Sequence, residues 1–140
     1  MKTRILVVMS VLWLALSGCD RRSAPSLVGH YVVSYVNPVW AQKEGLALAE
    51  VNKTEIWLRP DGSATIRGEP FVKATKGSGI GESPGTWSQL PSQPKKIDLL
   101  IAARKLSVPV GIAESNDQVI LEYSEDPELP TNIRLRKVND

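Results

Sequence analysis

One cysteine, one histidine and one phenylalanine in 140 residues leave this chain poor in the groups on which much site chemistry is built. With Cys19 alone no disulfide can form within the chain, so its fold must rest on packing. Any Ser-His-acid triad has only His30 to use, and a zinc site lacks its usual His and Cys ligands. A spanning hydrophobic run is missing too. Residues 5–16 would rise roughly 18 Å as a helix, against a hydrocarbon core of about 30 Å. Nor is there an excess of charge: the formal +2 comes from Lys2 and Arg4, and residues 19–140 carry 15 basic and 15 acidic side chains. That balance gives no electrostatic footprint for nucleic acid, so nucleic-acid binding is not expected.

What is present at the start is a basic tip, the apolar stretch 5–16, and then Leu16-Ser17-Gly18-Cys19. The length suits the apolar region of a secretory signal, and cleavage before Cys19 would place that cysteine at a new N-terminus. The four residues resemble the lipobox of bacterial lipoproteins. The resemblance implies that residues 1–18 are a signal peptide and that the Cys19 thiol carries a diacylglyceryl group. It also implies acylation of the new amine, and two or three chains hold a protein firmly on a bilayer. Asp20, next to the cysteine, resembles the signal that retains such proteins on the periplasmic face of the inner membrane rather than the outer one. Residues 19–27 read as lipid anchor and tether. The eight after Cys19 span at most about 29 Å, which keeps the folded part, 28–140, near the membrane.

Along that folded part the pattern is one of short strands. Tyr31, Val33 and Tyr35 alternate with His30, Val32 and Ser34. Asn37-Pro38 then offers an N-cap followed by a first-turn proline, and Trp40, Ala47, Leu48 and Val51 continue a helical stripe, predicting one short helix over 38–51 interrupted by Gly45. A hairpin follows, 55–59 and 63–67 around Pro60-Asp61-Gly62. Ser83-Pro84-Gly85 reads as a turn into Thr86-Trp87-Ser88. Further strands are expected at 96–101, 106–112, 118–123 and 132–136, with Pro109 pushing its strand toward an edge or an irregular path. The expected fold is mainly β, an antiparallel eight-stranded barrel or sandwich with one short helix after the first strand.

The order of motifs is similar to that of bacterial lipocalin-like domains: Leu27-Val28-Gly29-His30-Tyr31, then Trp57-Leu58-Arg59-Pro60-Asp61-Gly62, then Gly85-Thr86-Trp87, and a closing Ile133-Arg134-Leu135-Arg136. That resemblance implies a small barrel and, with it, a cavity, but no particular substrate. A related class, the periplasmic lysozyme-inhibitor lipoproteins, often carries a barrel disulfide, for which this chain has no cysteine.

No residue set announces an enzyme. Residues 77–81 hold three glycines but lack the Lys-Ser/Thr ending of a phosphate loop. Glu122, Glu125, Asp126 and Glu128 match no calcium-loop spacing, so neither metal nor cofactor is expected. Trp57, Trp87 and Ile80 are the candidates for contact with a ligand or partner. Trp57 is singled out because it faces away from Ile56 and Leu58. The expected function is a membrane-anchored, non-catalytic module binding an envelope protein or a small apolar ligand. Two alternatives stand beside it: an inhibitor or immunity-type protein reaching a secreted hydrolase through residues 73–85, and a hydrolase using Asp98 or Glu122.

Overall fold

A strand whose residues alternate between apolar and polar must bury one face, and a sheet closed on itself buries all such faces around one axis. The computed structural model describes residues 26–73, 80–103, 106–126 and 128–139. In it the strands β1 (Gly29–Val36), β2 (Glu55–Leu58), β3 (Ser63–Arg67), β4 (Glu82–Leu90), β5 (Gln93–Ile101), β6 (Leu106–Ser115), β7 (Gln118–Tyr123) and β8 (Ile133–Lys137) form a closed barrel. Each strand pairs antiparallel with the next, and β8 returns to β1 through Val33–Leu135 and Val36–Ile133. Closure resolves the choice between barrel and sandwich, and it leaves no sheet edge to protect. Cys19, Asp20 and residues 77–79 of the glycine-rich stretch lie outside the described residues. No described helix is long and apolar enough to cross a membrane.

The inward positions are the ones the alternation marks. Ile56 and Leu58, Ala64 and Ile66, Val119 and Leu121, and Ile133 and Leu135 are all buried, while the residues between them face out. An eight-stranded barrel is about wide enough for side chains to fill. Here aliphatic residues from β2, β3 and β5–β8 join Tyr31 of β1 in one core cluster.

Two expectations need correcting, and a third is made specific. The single helix over 38–51 is two: α1 (Pro38–Lys43) and α2 (Leu48–Val51). Asn37 caps α1, its side chain accepting from Val39 N at 3.1 Å and Trp40 N at 3.3 Å. Gly45, at φ +67°, then ends it, with Leu46 N donating to Ala41 O and Gly45 N to Gln42 O. Those paired bonds with a left-handed glycine stop a helix rather than merely weakening it.

Ser83-Pro84-Gly85 is not a turn but part of β4, pairing with Ile66, Thr65 and Ala64. Glycine is needed there because a Cβ would collide with the Leu100 carbonyl oxygen and sit 2.8 Å from Ile66 Cδ1. The residue marks close approach of three strands.

Pro109 lies in the β5–β6 ladder, opposite Asp98, in the half of β6 that pairs with β5 alone, so the expected edge character holds locally although the barrel is closed. A strand proline fits where its nitrogen faces no ladder partner, and the β6–β7 ladder begins only at Gly111.

Candidate functional site

Up-and-down connectivity gives the barrel two unlike ends. One, called the tether end after the tether expected at 19–27, holds the start of β1, the β2–β3, β4–β5 and β6–β7 turns and the end of β8. The far end holds the remaining connections, among them both helices and the β3–β4 and β7–β8 segments.

At the tether end the chain is fastened as it enters the barrel. Tyr31, fully buried, donates its hydroxyl to Leu27 O at 2.7 Å, and Lys137 Nζ donates to Ser26 O at 2.9 Å. Burial pushes the Tyr31 phenol up to about 12, so it stays a neutral donor. Trp87 covers the same end: its Nε1 donates to Arg59 O at 2.9 Å, its backbone N to Gly62 O at 2.8 Å, and its ring packs on the core. In that turn, hydrogen bonds from Ser63 hold the Asp61 carboxyl below its usual range.

The outer wall carries a layered cluster. His30 and Trp57 stand opposite each other on β1 and β2, and their rings stack at 4.5 Å and 5°. The Arg67 guanidinium lies over Trp57 at 5.3 Å from the ring centre and pairs with Glu82 at 2.7 Å. Glu55 Oε2 is 3.6 Å from both His30 Nε2 and Arg67. His30 Nε2 is buried in this stack and has no hydrogen-bond partner among the described residues. So the outward face of Trp57 is largely covered by its own neighbours.

The far end differs in kind. All six exposed large apolar side chains among the described residues belong to it: Tyr35 and Leu100 near strand ends, Val39 and Leu48 on the helices, Ile80 before β4 and Leu129 between β7 and β8. Val39 is 74% and Leu129 59% exposed. Beside them opens a pocket of about 180 Å³, lined by Trp40, Glu44, Leu46, Glu69, Pro70, Lys73, Tyr123 and Glu125. Its aromatic wall is braced from behind, since Tyr123 meets Phe71 edge to face at 5.1 Å and Trp40 at 6.4 Å.

Asn132, buried at the same end, ties the wall together. Its backbone N donates to Tyr123 O at 2.9 Å and its backbone O accepts from Asn37 N at 2.8 Å. Oriented by its hydrogen bonds, its amide oxygen accepts from Trp40 Nε1 at 3.3 Å and Glu125 N at 3.1 Å.

The contact candidates named from the sequence are therefore not brought together. Trp57 sits on the outer wall, Trp87 closes the tether end, and only Ile80, 38% exposed, stands at the far end. Of the acidic group around Tyr123, Glu125 lines the pocket, while Glu122 faces out and accepts from Arg134 Nε at 2.8 Å. Asp98, also on the wall, accepts from the Ser107 hydroxyl. No group of three possible metal ligands occurs among the described residues. Glu44, Glu69 and Lys73 were not legible as site residues, because no local spacing links them; Trp40 and Glu125 carried a signal as an aromatic and as part of an acidic cluster. Residues 73–85, read as one protruding loop, include four residues of β4. No family model, no curated protein and no solved structure matches the chain.

Proposed function

We propose that this chain is a lipid-anchored protein of the bacterial envelope, a non-catalytic module that is held to the membrane through Cys19 and presents its far end to a partner protein. The observation that carries the reading is the separation of the two ends. Ser26 and Leu27, the last of the tether, are bonded at one end, and the exposed apolar side chains and the open pocket are at the other. That the exposed large apolar side chains, among the described residues, all belong to one end supports reading that end as the contact surface.

A small apolar ligand inside the barrel is the weaker reading. Ile56, Leu58, Ile66, Leu99, Leu121 and Leu135 occupy the interior, each at most 2% exposed. The far-end pocket, at about 180 Å³, is smaller than the roughly 300–1,000 Å³ typical of ligand sites and has charged walls.

Two measurements test the proposal. Growing cells fed labelled palmitate are expected to mark the unaltered chain and not Cys19→Ser, which moves to the aqueous fraction. Solvent extraction of purified protein is expected to release no stoichiometric apolar compound beyond the anchor itself. An unlabelled native chain, or a barrel that yields one lipid per molecule from Cys19→Ser, contradicts it.

A further inference from the structure

Three turns close the tether end, and they differ in charge. The β2–β3 turn sets Asp61 close to Arg59, and the β6–β7 hairpin tip has Glu114 and Asp117 with no cation. The β4–β5 hairpin tip alone is free of acid: residues 87–97 include Lys95 and Lys96 and neither aspartate nor glutamate. Both lysines are exposed, as are residues 91–94, and neither makes an ion pair with a described residue.

This hairpin also runs past its neighbours in the wall. On one side its last hold is Trp87 N on Gly62 O, and on the other it is the Lys96–Gly111 pair. Between them, residues 88–95 enter the ladder only within the hairpin, and Gln89 Nε2 braces the tip by donating to Pro94 O at 2.6 Å.

Its place in the ring matters as well. The chain enters at β1, beside β8, where Lys137 Nζ donates to Ser26 O. Two strands separate β1 from β4 and two separate β5 from β8, so the basic hairpin lies across the barrel from the entry point, on the same end. A body held at one point of its rim tilts about that point, and a second contact across the rim fixes it upright. From Cys19 to Ser26 the reach is at most about 25 Å, so an anchor at Cys19 keeps this end close to the bilayer surface. Exposed ammonium groups complement lipid phosphates. Among the described residues no exposed large apolar side chain belongs to this end, so the contact is with head groups and not with acyl chains.

We propose that Lys95 and Lys96 dock the β4–β5 hairpin on anionic head groups of the bilayer that carries the anchor, so that two contacts across the rim hold the barrel upright. The inference rests on anchoring through Cys19. It adds what orients the anchored body.

The test uses the full chain, purified from membranes and reconstituted into phosphatidylcholine vesicles with or without phosphatidylglycerol, with a photoreactive residue at position 92. A lysine near an anionic surface strengthens attachment about fivefold. The yield of phospholipid adduct is expected to be about fivefold higher or more with phosphatidylglycerol. It is expected to fall to the level of phosphatidylcholine alone in the double variant Lys95→Gln, Lys96→Gln, or in high salt. Lys95→Arg with Lys96→Arg is expected to keep it.

An unchanged yield in the glutamine variant, or equal yield in the two kinds of vesicle, overturns the proposal. Flotation of the same protein with the vesicles isolates the reading beneath it. A chain that floats with both compositions while its adduct yield ignores charge keeps its anchor and loses the docked hairpin. A chain that does not float with phosphatidylcholine vesicles has no anchor, and both fall.

Discussion

Replacing Tyr31 with phenylalanine removes one oxygen from a fully buried ring and should leave the packing of the barrel intact. What is lost is the 2.7 Å bond to Leu27 O, one of the two that fasten residues 26 and 27 to the barrel. A neutral hydrogen bond contributes about 1 kcal/mol net. Leu27 is only half-buried, so water can reach its freed carbonyl and no further desolvation penalty is expected. Tyr31→Phe should therefore cost about 1 kcal/mol at pH 7, a fall of roughly 4 °C in Tm for a domain of this size.

The same substitution has an opposite effect in alkali. The phenol titrates near 10.0 when unfolded and near 12 when buried, so the folded state holds the proton more tightly. Stability linked to that proton is complete below pH 10 and drains away as pH rises toward 12. Phenylalanine has no such proton to lose. Urea unfolding followed by circular dichroism, run on both proteins at neutral pH and across this alkaline range, should show their order of stability invert between pH 10 and about 12. Equal stability at pH 7, or parallel curves in alkali, would refute the reasoning that the buried hydroxyl ties down Leu27.

Other consequences follow from the same geometry. Gly85→Ala sets a methyl group against the Leu100 carbonyl oxygen and should cost about 1–3 kcal/mol in urea unfolding. Leu121→Ala opens a cavity in a fully buried layer and should cost about 2–5 kcal/mol by the same assay. Asn132→Ala, by orphaning Trp40 Nε1 and Glu125 N, should cost about 1–3 kcal/mol and shift the Trp40 indole resonance. Asp117→Gly should raise stability by less than about 1 kcal/mol, since Asn116 and Asp117 both hold positive φ in a two-residue hairpin where glycine is favoured at the second position.

Much of the barrel was legible because strand alternation is a local signal. Ile56 and Leu58 opposite Trp57, or Ile133 and Leu135 opposite Arg134, declare their faces within five residues. Asn37-Pro38 likewise marked the start of α1 through bonds spanning three residues. Closure was not legible, because alternation says which face is buried and not which strand pairs with which. The start of β4 was hidden because Ser-Pro-Gly has turn composition, while the need for glycine comes from Leu100, fifteen residues away. The pocket was hidden for the same reason. Its walls come from residues 40–46, 69–73 and 123–125, which meet only when the chain has closed. Trp57 was rightly placed facing out, yet its covering by His30 and Arg67 depends on cross-strand register.

The most direct test of the account places one photoreactive residue at Val39, on the far end, and another at Asn116, in the β6–β7 turn at the tether end, and irradiates intact cells. If the chain is anchored through Cys19 as proposed, the Val39 position is expected to yield adducts to protein and the Asn116 position adducts to phospholipid, because an anchor leading into β1 would turn that end to the bilayer and the other away. Lipid adducts from Val39 with protein adducts from Asn116 would reverse the orientation on which the contact surface depends.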